Sequence, residues 1–484
     1  MRRLLLALAA AVGALALAPS ALAGGPTMTL GATEDTLRAS DLVTARVRMA
    51  YFRLAGFTAV RISSQWRPGD VTPPPDELKI LQTVAQAARL NGVRVFVSVY
   101  HPGSRTTPLT IEARAQIVAY AAAIVRAVPS FDDLIVGNEP NLNRFWLPQF
   151  NPDGSNAAAP AYLALLAETY DAVKATDPKV RVWGGALAPR GADRPDGTRH
   201  THSPTKFIED LGALYRASGR QLPIMDGFAF HPYADNSSQS PDFPHPRSTS
   251  IGVADYDKLV ALLTEAFDGT PQLGSTLPIL YDEFGVESLV PPGKAKHYTG
   301  NEPATTKPVP ETVQAAYYQR ALQLAFCQPN VVGMLLFHSQ DEPALGSWQS
   351  GVYYADGTPK ASLSFVRDAL ARVRGGSVTR CDGLALDVVP TQLRFPTETE
   401  FRSGKRDVRL RCSLDCAWEL RVTRVDDGAT ALTRRGYARA GITVLPTLKG
   451  GTLGAGAYRL SMTLTHPVNP GLSVTRDSRE LALP

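Results

Sequence analysis

The chain has 484 residues, and a length two to three times that of an ordinary domain excludes a single small module. Hydrophobic residues make up 44% and charged residues 20% of the chain, which is the composition of a folded globular protein and excludes general disorder. The 50 basic and 45 acidic residues give a net charge of +5, and the scattered arginines form no basic stripe, so nothing indicates a nucleic-acid partner.

The first predicted element is a secretory signal peptide over residues 1–23. Arg2 and Arg3 precede an apolar run from Leu4 to Ala18, and small residues lead to a cleavage site after Ala23. The run is short for a membrane span, and no later stretch reaches the roughly 18 apolar residues that a span needs. We therefore expect a secreted, extracellular mature chain that is monomeric and has no membrane partner.

Residues 24–374 alternate short apolar runs with longer segments of helical periodicity. Eight such units predict a (β/α)8 TIM barrel, because near-continuous apolar strands are typical of a parallel sheet covered by helices. An open doubly wound sheet is the alternative, but no strand is followed by a glycine-rich dinucleotide motif. The predicted strands are Pro26–Ala32, Thr58–Ser64, Val93–Tyr100, Asp133–Asn138, Val180–Ala186, Asp226–His231, Pro278–Glu283 and Val332–His338.

The pattern changes after Gly375-Gly376-Ser377, which we interpret as a linker. Residues 381–484 show short alternating segments separated by turn signals, and this predicts a small all-β sandwich domain.

The chain contains 4 cysteines, and an even number in an exported protein indicates two disulfides. A local bridge between Cys412 and Cys416 is the simplest pairing, which leaves Cys327 for Cys381. A zinc site formed by all of them is the alternative, but no adjacent histidine or second close cysteine pair supports it.

Polar side chains stand at the carboxyl ends of the predicted strands. In a parallel barrel these ends form one rim, and the active site lies there. Carboxylates, histidines, an arginine and an asparagine would therefore meet at this rim. The residues are Arg61, His101, Asn138, Glu139, His231, Tyr233, Glu283 and His338.

Two of these segments resemble the catalytic strands of a known group of enzymes. Gly137–Asn141 (GNEPN) is similar to the acid/base segment, and Leu280–Gly285 (LYDEFG) to the nucleophile strand, of the retaining glycoside hydrolases in the (β/α)8 clan that includes families 5 and 39. The order and spacing of the motifs extend the resemblance over about residues 26–373. Its further elements are Arg61, His231-Pro232-Tyr233 and Gly351–Ser362.

The resemblance implies a glycosidase that cleaves O-glycosidic, β-linked bonds of an oligosaccharide or polysaccharide by double displacement, without a metal ion or organic cofactor. Glu139 would be the acid/base and Glu283 the nucleophile. Asn138 would hydrogen-bond the 2-hydroxyl group of the sugar, and Arg61 and Tyr233 would hold Glu283. The further substrate-binding or supporting residues would be His101, His231, His338 and Trp348.

The chain departs from the clan at strand eight, which commonly ends in a tryptophan that forms the floor of the sugar subsite. Phe337-His338 stands there instead. We expect either that Trp348 enters from the following loop or that the subsite is built differently. For Trp66, Trp146 and Trp348, sugar stacking and loop anchoring are alternative roles.

Two other functions fit parts of the pattern. A carbohydrate-binding or cell-envelope protein on an inactive barrel would keep the fold without hydrolysis, although the presence of both glutamates and Asn138 favours catalysis. A metal-dependent hydrolase would need several ligands at strand ends, and the pair His200 and His202 has no clear third ligand. Asp282 precedes Glu283, so strand alternation predicts that it points away from the pocket as a structural partner.

Overall fold

The computed structural model describes residues 27–197, 199–375, 390–412, 416–439, 442–448, 453–465 and 473–484. Eight strands close into a barrel in chain order, and the paired neighbours are parallel. The predicted TIM barrel is confirmed. Its strands are β1 (Thr29–Thr33), β2 (Ala59–Gln65), β3 (Arg94–Tyr100), β4 (Asp133–Val136), β5 (Arg181–Leu187), β6 (Gly227–Phe230), β7 (Ile279–Phe284) and β8 (Val331–Phe337).

Helices on the outside of the barrel alternate with the strands, and local sequence sets their ends. Asp41 accepts a hydrogen bond from the backbone N–H of Thr44 and so caps the first helix. Gly92 ends the second helix in a left-handed conformation with φ 62°, which glycine adopts without strain. The helices are α1 (Leu42–Leu54), α2 (Pro75–Asn91), α3 (Ile111–Ala127), α4 (Ala158–Thr176), α5 (Pro204–Ala217), α6 (Tyr256–Phe267), α7 (Glu311–Phe326) and α8 (Ser362–Arg374).

Side chains contributed by β2 to β8 fill the barrel interior. They form a buried cluster that is separate from the apolar layer between strands and helices. At the amino end of β4, the fully buried Asp133 pairs with Arg94 and Arg181. The interior is thus a packed core, and space for chemistry remains at the carboxyl rim. The interior cluster comprises Ala59, Phe96, Ile135, Trp183, Ala186, Ala229, Leu280 and Leu335.

The C-terminal part consists of two antiparallel sheets with a core of their own. In the larger sheet, Tyr458, Leu460, Met462 and Leu464 are buried at alternate positions, as the period of a strand requires. The predicted all-β region is confirmed, with one short helix, α9 (Glu398–Arg402), added to it. Its strands are β9 (Pro390–Arg394), β10 (Arg409–Cys412), β11 (Cys416–Arg424), β12 (Thr430–Ala438), β13 (Thr443–Val444), β14 (Gly456–Thr465), β15 (Ser473–Asp477) and β16 (Leu481–Leu483).

The predicted disulfide between Cys412 and Cys416 is present. Cys381 lies outside the described residues, so its pairing with Cys327 stays a prediction. The signal peptide over residues 1–23 and the linker at residues 376–377 also lie outside the described part, and the domain boundaries stay predictions. Among the described residues, no helix has both the length and the apolar character to cross a membrane.

Candidate active site

Glu139 stands in a tight turn just after β4. Its backbone is left-handed, with φ 43°, which is uncommon for a residue that carries a side chain and persists only where contacts hold it. The backbone N–H of Glu139 donates to the carbonyl oxygen of Ala186 on β5 at 2.8 Å. The turn therefore fixes a partly buried carboxylate at the barrel mouth.

Glu283 lies within β7 and has a donor for each carboxylate oxygen. Nη1 of Arg61 donates to Oε1, and the hydroxyl of Tyr233 donates to Oε2 at 2.9 Å. Burial and the negative charge of Glu283 raise the pKa of Tyr233 well above its usual value, so the hydroxyl stays a donor at neutral pH. Glu283 is 8% exposed, and its position is fixed from two sides.

Arg61, on β2, contacts residues of β7 and of the turn after β4. Its Nη2 donates to Oδ1 of Asn138 at 2.7 Å and to the hydroxyl of Ser98 at 3.2 Å. Burial disfavours the charge of Arg61, but the carboxylates of Asp282 and Glu283 raise the pKa of the guanidinium, so it remains a cation. Because the amide oxygen of Asn138 faces Arg61, the two N–H groups of that amide are left for the pocket.

His231 lies between the glutamates. Its Nδ1 is 3.0 Å from Oε1 of Glu139 and 3.5 Å from Oε2 of Glu283, and its Nε2 is 3.4 Å from Oδ2 of Asp282. Burial disfavours the charged ring, but the negative charges of Glu283 and Asp282 raise the pKa of His231 to about 10. The ring is therefore an imidazolium at neutral pH, with Nδ1 beside Glu139 and Glu283, and with Nε2 beside Asp282 and, also at 3.4 Å, Nη1 of Arg61.

The two glutamates are close enough to act on one bond. One oxygen of Glu139, one oxygen of Glu283 and a ring nitrogen of His231 lie within 4.8 Å of one another. A retaining carboxylate pair stands about 5–5.5 Å apart, whereas an inverting pair leaves about 6.5–9.5 Å for a water molecule. The spacing of these two oxygens is compatible with the retaining arrangement.

Among the described residues, these same three side chains are the set compact enough to ligate a metal ion. Their surroundings oppose that role. A histidine ligand needs a free lone pair, whereas His231 carries protons that face carboxylates. In addition, the guanidinium of Arg61 already occupies an oxygen of Glu283. We assign no metal to this site.

The structure contradicts the predicted position of Asp282. Its carboxylate is fully buried, and Oδ2 lies 3.2 Å from Nη1 of Arg61 and 3.4 Å from Nε2 of His231. The face predicted for Asp282 was wrong, because Leu280 belongs to the interior cluster and Asp282, two residues later, also points inward. Glu283 reaches the rim as well, since the register between β7 and β8 shifts between Tyr281 and Phe284.

Trp348 enters from the loop after β8 and lies beside Tyr233. The ring centroids are 5.0 Å apart, and the ring of Phe337 is 5.2 Å from that of Trp348. Of the two alternatives for the missing strand-eight tryptophan, entry of Trp348 from the loop is the one observed. His338 follows Phe337, and its Nδ1 is 3.0 Å from the carbonyl oxygen of Thr33 on β1.

Other aromatic candidates anchor loops. His101 is 4% exposed, its Nδ1 is 2.9 Å from the carbonyl oxygen of Gly103, and its ring packs edge-on against Trp146. Trp146 and Trp66 are buried, and the indole N–H of Trp66 donates to the carbonyl oxygen of Asp70 at 2.7 Å. These contacts favour loop anchoring over sugar stacking for Trp66, Trp146 and His101.

The two histidines of the HxH pair have different environments. His200 is exposed, whereas His202 is buried and its Nε2 is 2.8 Å from the carbonyl oxygen of Gln149. Burial lowers the pKa of His202, so this ring is neutral. The pair does not belong to the compact ligand set found among the described residues.

Sequence reasoning missed Ser98 as a partner of Arg61 and misplaced Asp282. A usable signal existed for both residues. Each is a polar side chain in a strand whose other interior positions are mostly apolar, and a buried polar group inside a barrel needs a polar partner there.

No protein-family model and no curated protein matches the chain. Similar solved structures include GH5_18 from Streptomyces cattleya in complex with GlcNAc, with a TM-score of 0.50 and 17% identity over 72% of this chain and 81% of that chain. The exo-β-1,4-mannosidase Op5Man5 from an Opitutaceae bacterium has a TM-score of 0.45 and 19% identity over 72% of this chain and 60% of that chain. The GH5_18 similarity supports the barrel fold.

A calcium-binding mutant of β-glucuronidase 2 from Bacteroides uniformis is also similar, with a TM-score of 0.45 and 12% identity over 96% of this chain. The chain spans 46% of the length of that protein.

Proposed function

We propose that this chain is a retaining glycoside hydrolase, with Glu139 as the acid/base and Glu283 as the nucleophile. The observation that carries the proposal is the carboxylate pair itself. Glutamates from the ends of β4 and β7 converge within 4.8 Å across one barrel mouth, and His231 lies between them. A purely binding barrel has no need to hold two carboxylates so close together, because each must be kept in place by buried donors.

The reaction takes place in two displacements. Glu283 attacks the anomeric carbon and forms a glycosyl ester, while Glu139 gives its proton to the departing glycosidic oxygen. Glu139, now a carboxylate, then removes a proton from a water molecule that attacks the anomeric carbon and breaks the ester. The sugar leaves with its original configuration, and both glutamates return to their starting forms.

The surroundings support each task. Arg61 and Tyr233 hold the two oxygens of Glu283 in a fixed orientation, which a nucleophile needs to meet the anomeric carbon in line. The N–H groups of Asn138 are suited to the 2-hydroxyl group of the bound sugar. Trp348 and Tyr233 form an aromatic wall against which the apolar face of a sugar ring can pack.

The substrate class is an oligosaccharide or polysaccharide with β-linked units, acted on outside the cell. The predicted signal peptide at residues 1–23 supports export, and a secreted glycosidase meets polymeric sugars there. The chain would act as a monomer, because the proposed site is assembled from side chains of one barrel.

A hydrolysis panel tests the proposal. The purified protein is incubated with aryl β-glycosides and with plant and bacterial envelope polysaccharides, with and without a chelator. We expect hydrolysis of at least one substrate, unchanged by the chelator and lost in Glu283→Gln. The matched control is Glu112→Gln, an exposed glutamate on α3, which should keep full activity. Binding without hydrolysis would favour the carbohydrate-binding alternative, and loss of activity with the chelator would favour a metal-dependent hydrolase.

A further inference from the structure

A third buried carboxylate lies beneath the two glutamates. Asp282 is fully buried, and its Oδ2 contacts two cations at once, Nη1 of Arg61 at 3.2 Å and Nε2 of His231 at 3.4 Å. A carboxylate in such a place is costly unless charges compensate it. Arg61 and His231 each also contact one of the two glutamates, so the presence of Asp282 calls for a separate explanation.

Each of the two partners of Asp282 also contacts one of the proposed catalytic glutamates. Arg61 continues from Asp282 to Oε1 of Glu283. His231 contacts both carboxyl groups: its Nε2 is 3.4 Å from Oδ2 of Asp282, and its Nδ1 is 3.0 Å from Oε1 of Glu139. A single side chain therefore separates Asp282 from each glutamate: Arg61 on the path to Glu283 and His231 on the path to Glu139.

The backbone of Asp282 is also tied to the barrel. The hydroxyl of Thr33 on β1 donates to the carbonyl oxygen of Asp282 at 2.5 Å. The side chain stands above Leu280 of the interior cluster, so it cannot move toward the helices without leaving the barrel. Such a fixed anion can determine the orientation of longer and more flexible neighbours.

We propose that Asp282 is a positioning residue for both glutamates, which holds Arg61 beneath Glu283 and orients the His231 ring with one N–H toward itself and the other toward Glu139. This inference rests on the proposed glycosidase function. The arrangement parallels a general rule for catalytic histidines, in which a buried carboxylate on one ring nitrogen fixes the orientation of the other.

The charge balance supports the same role. Arg61 and His231 supply two positive charges under the pair, and Asp282 and Glu283 supply two negative ones. With Glu139 protonated these charges balance, and they still balance in the glycosyl ester, where Glu283 has lost its charge and Glu139 has become a carboxylate. The titratable or charged groups that face the His231 ring are Arg61 from β2, Glu139 after β4, Tyr233 after β6, and Asp282 and Glu283 from β7.

Kinetics of Asp282→Asn give the first test. The amide keeps the size of the side chain and removes its charge, so we expect kcat to fall by about 100-fold, the usual cost of a small misplacement of catalytic groups. KM should stay within about twofold, because Asp282 does not touch the substrate. The matched control is Asp133→Asn, a fully buried aspartate at the other end of the barrel, which should lower Tm but leave kcat unchanged. Asp282→Ser is measured in parallel, so that the result does not depend on the folding of one variant.

NMR of the ring nitrogens in ¹⁵N-histidine-labelled protein gives a readout that a merely structural role would not move. At pH 8 the wild-type His231 ring should be protonated on both nitrogens. In both Asp282 variants the ring should lose its proton at a lower pH than in the wild type and in Asp133→Asn, because one of the negative charges that face it is removed. His231→Gln identifies the signal. An unchanged His231 signal in both variants, or a kcat within about twofold of the wild-type value, would overturn the proposal. If the wild-type protein hydrolyses nothing, the proposed function and the positioning role for it fail together, while the NMR result still decides whether Asp282 controls His231.

Discussion

Glu139 and Glu283 have surroundings that match different chemical tasks. Glu283 is 8% exposed and is fixed by Arg61 and Tyr233, as an oriented nucleophile requires. Glu139 is more exposed, stands on a left-handed turn and contacts His231. Proton transfer needs such access to the glycosidic oxygen.

Substitution of Glu139 by alanine should have effects that depend on the leaving group. Loss of a general acid costs about 10²–10⁴-fold, and this loss should appear in kcat/KM for glycosides with poor leaving groups. Activated aryl glycosides need little protonation, so they should be affected far less. Equal losses on every substrate would contradict the role of Glu139 as acid.

The identities of these residues could be predicted from the sequence, because each one stands at a strand end in a motif of recognisable order. Their contacts could not. The position of His231 between two carboxylates depends on side chains that meet across the barrel from β4, β6 and β7. Asp282 was misplaced because a period of two fixes which residues share a face, but not which face lies inside.

At the level of elements, the loops after the strands differ in how they use tryptophan. Trp146, in the loop after β4, is 1% exposed and packs against His101 and Tyr162. Trp348, in the loop after β8, is partly exposed beside Tyr233. The sequence places both tryptophans in loops, and only burial separates the anchor from the candidate sugar contact.

Alanine substitutions should separate the two kinds of tryptophan. Trp146→Ala should lower the free energy of unfolding by about 3–5 kcal/mol, because a large buried ring is removed. Trp348→Ala should change stability little and raise KM, because it removes part of the wall that faces the sugar. Denaturant unfolding and substrate saturation curves measure the two effects. A Trp348→Ala variant with unchanged KM would mean that this ring does not contact the substrate.

Buried charges join the loops that follow β7 and β8. Nζ of Lys360 lies 2.7 Å from Oδ1 of Asp341, and the hydroxyl of Tyr298 donates to Oδ2 of Asp341 at 2.7 Å. The nearby Glu287 is 6% exposed, and burial is the main cause that raises its pKa to about 7. This network supports the loop that carries Trp348.

The raised pKa of Glu287 makes stability depend on pH in a defined direction. The folded protein keeps this proton up to about pH 7, whereas the unfolded chain loses it near the ordinary value of 4.5, so the free energy of unfolding falls as pH rises between these values. Glu287→Gln should therefore raise Tm at pH 8, by roughly 2–4 °C for each kcal/mol removed, and should change it little at pH 4.5. Thermal unfolding at both pH values is the measurement, and an effect independent of pH would contradict the assignment.

At the scale of the whole molecule, the order of strands and helices could be predicted almost completely from sequence. Parallel strands buried on both faces give continuous apolar runs, so β2 and β3 lie within one residue of their predicted bounds. The C-terminal region alternates apolar and polar residues, and its sheets bury a separate core. Residues 376–389, between the barrel and the C-terminal sheets, lie outside the described residues.

Separate cores predict that changes in the C-terminal sheets leave catalysis untouched. The double variant Cys412→Ser, Cys416→Ser removes a disulfide that closes a short loop. We expect the free energy of unfolding of this region to fall by about 2 kcal/mol, with kcat and KM unchanged. Calorimetry and kinetics on the same preparation check both statements, and a parallel loss of activity would show that the sheets support the barrel.

We propose that Glu283 forms a covalent ester with the sugar, and trapping of this glycosyl ester tests the proposal. The protein is incubated with the 2-deoxy-2-fluoro analogue of a hydrolysed glycoside that has an activated leaving group, and the labelled peptide is identified by mass spectrometry. We expect one sugar per chain, attached to Glu283, and no labelling of the Glu283→Gln variant. A label on another carboxylate, or hydrolysis in which the first product has the inverted configuration, would contradict it.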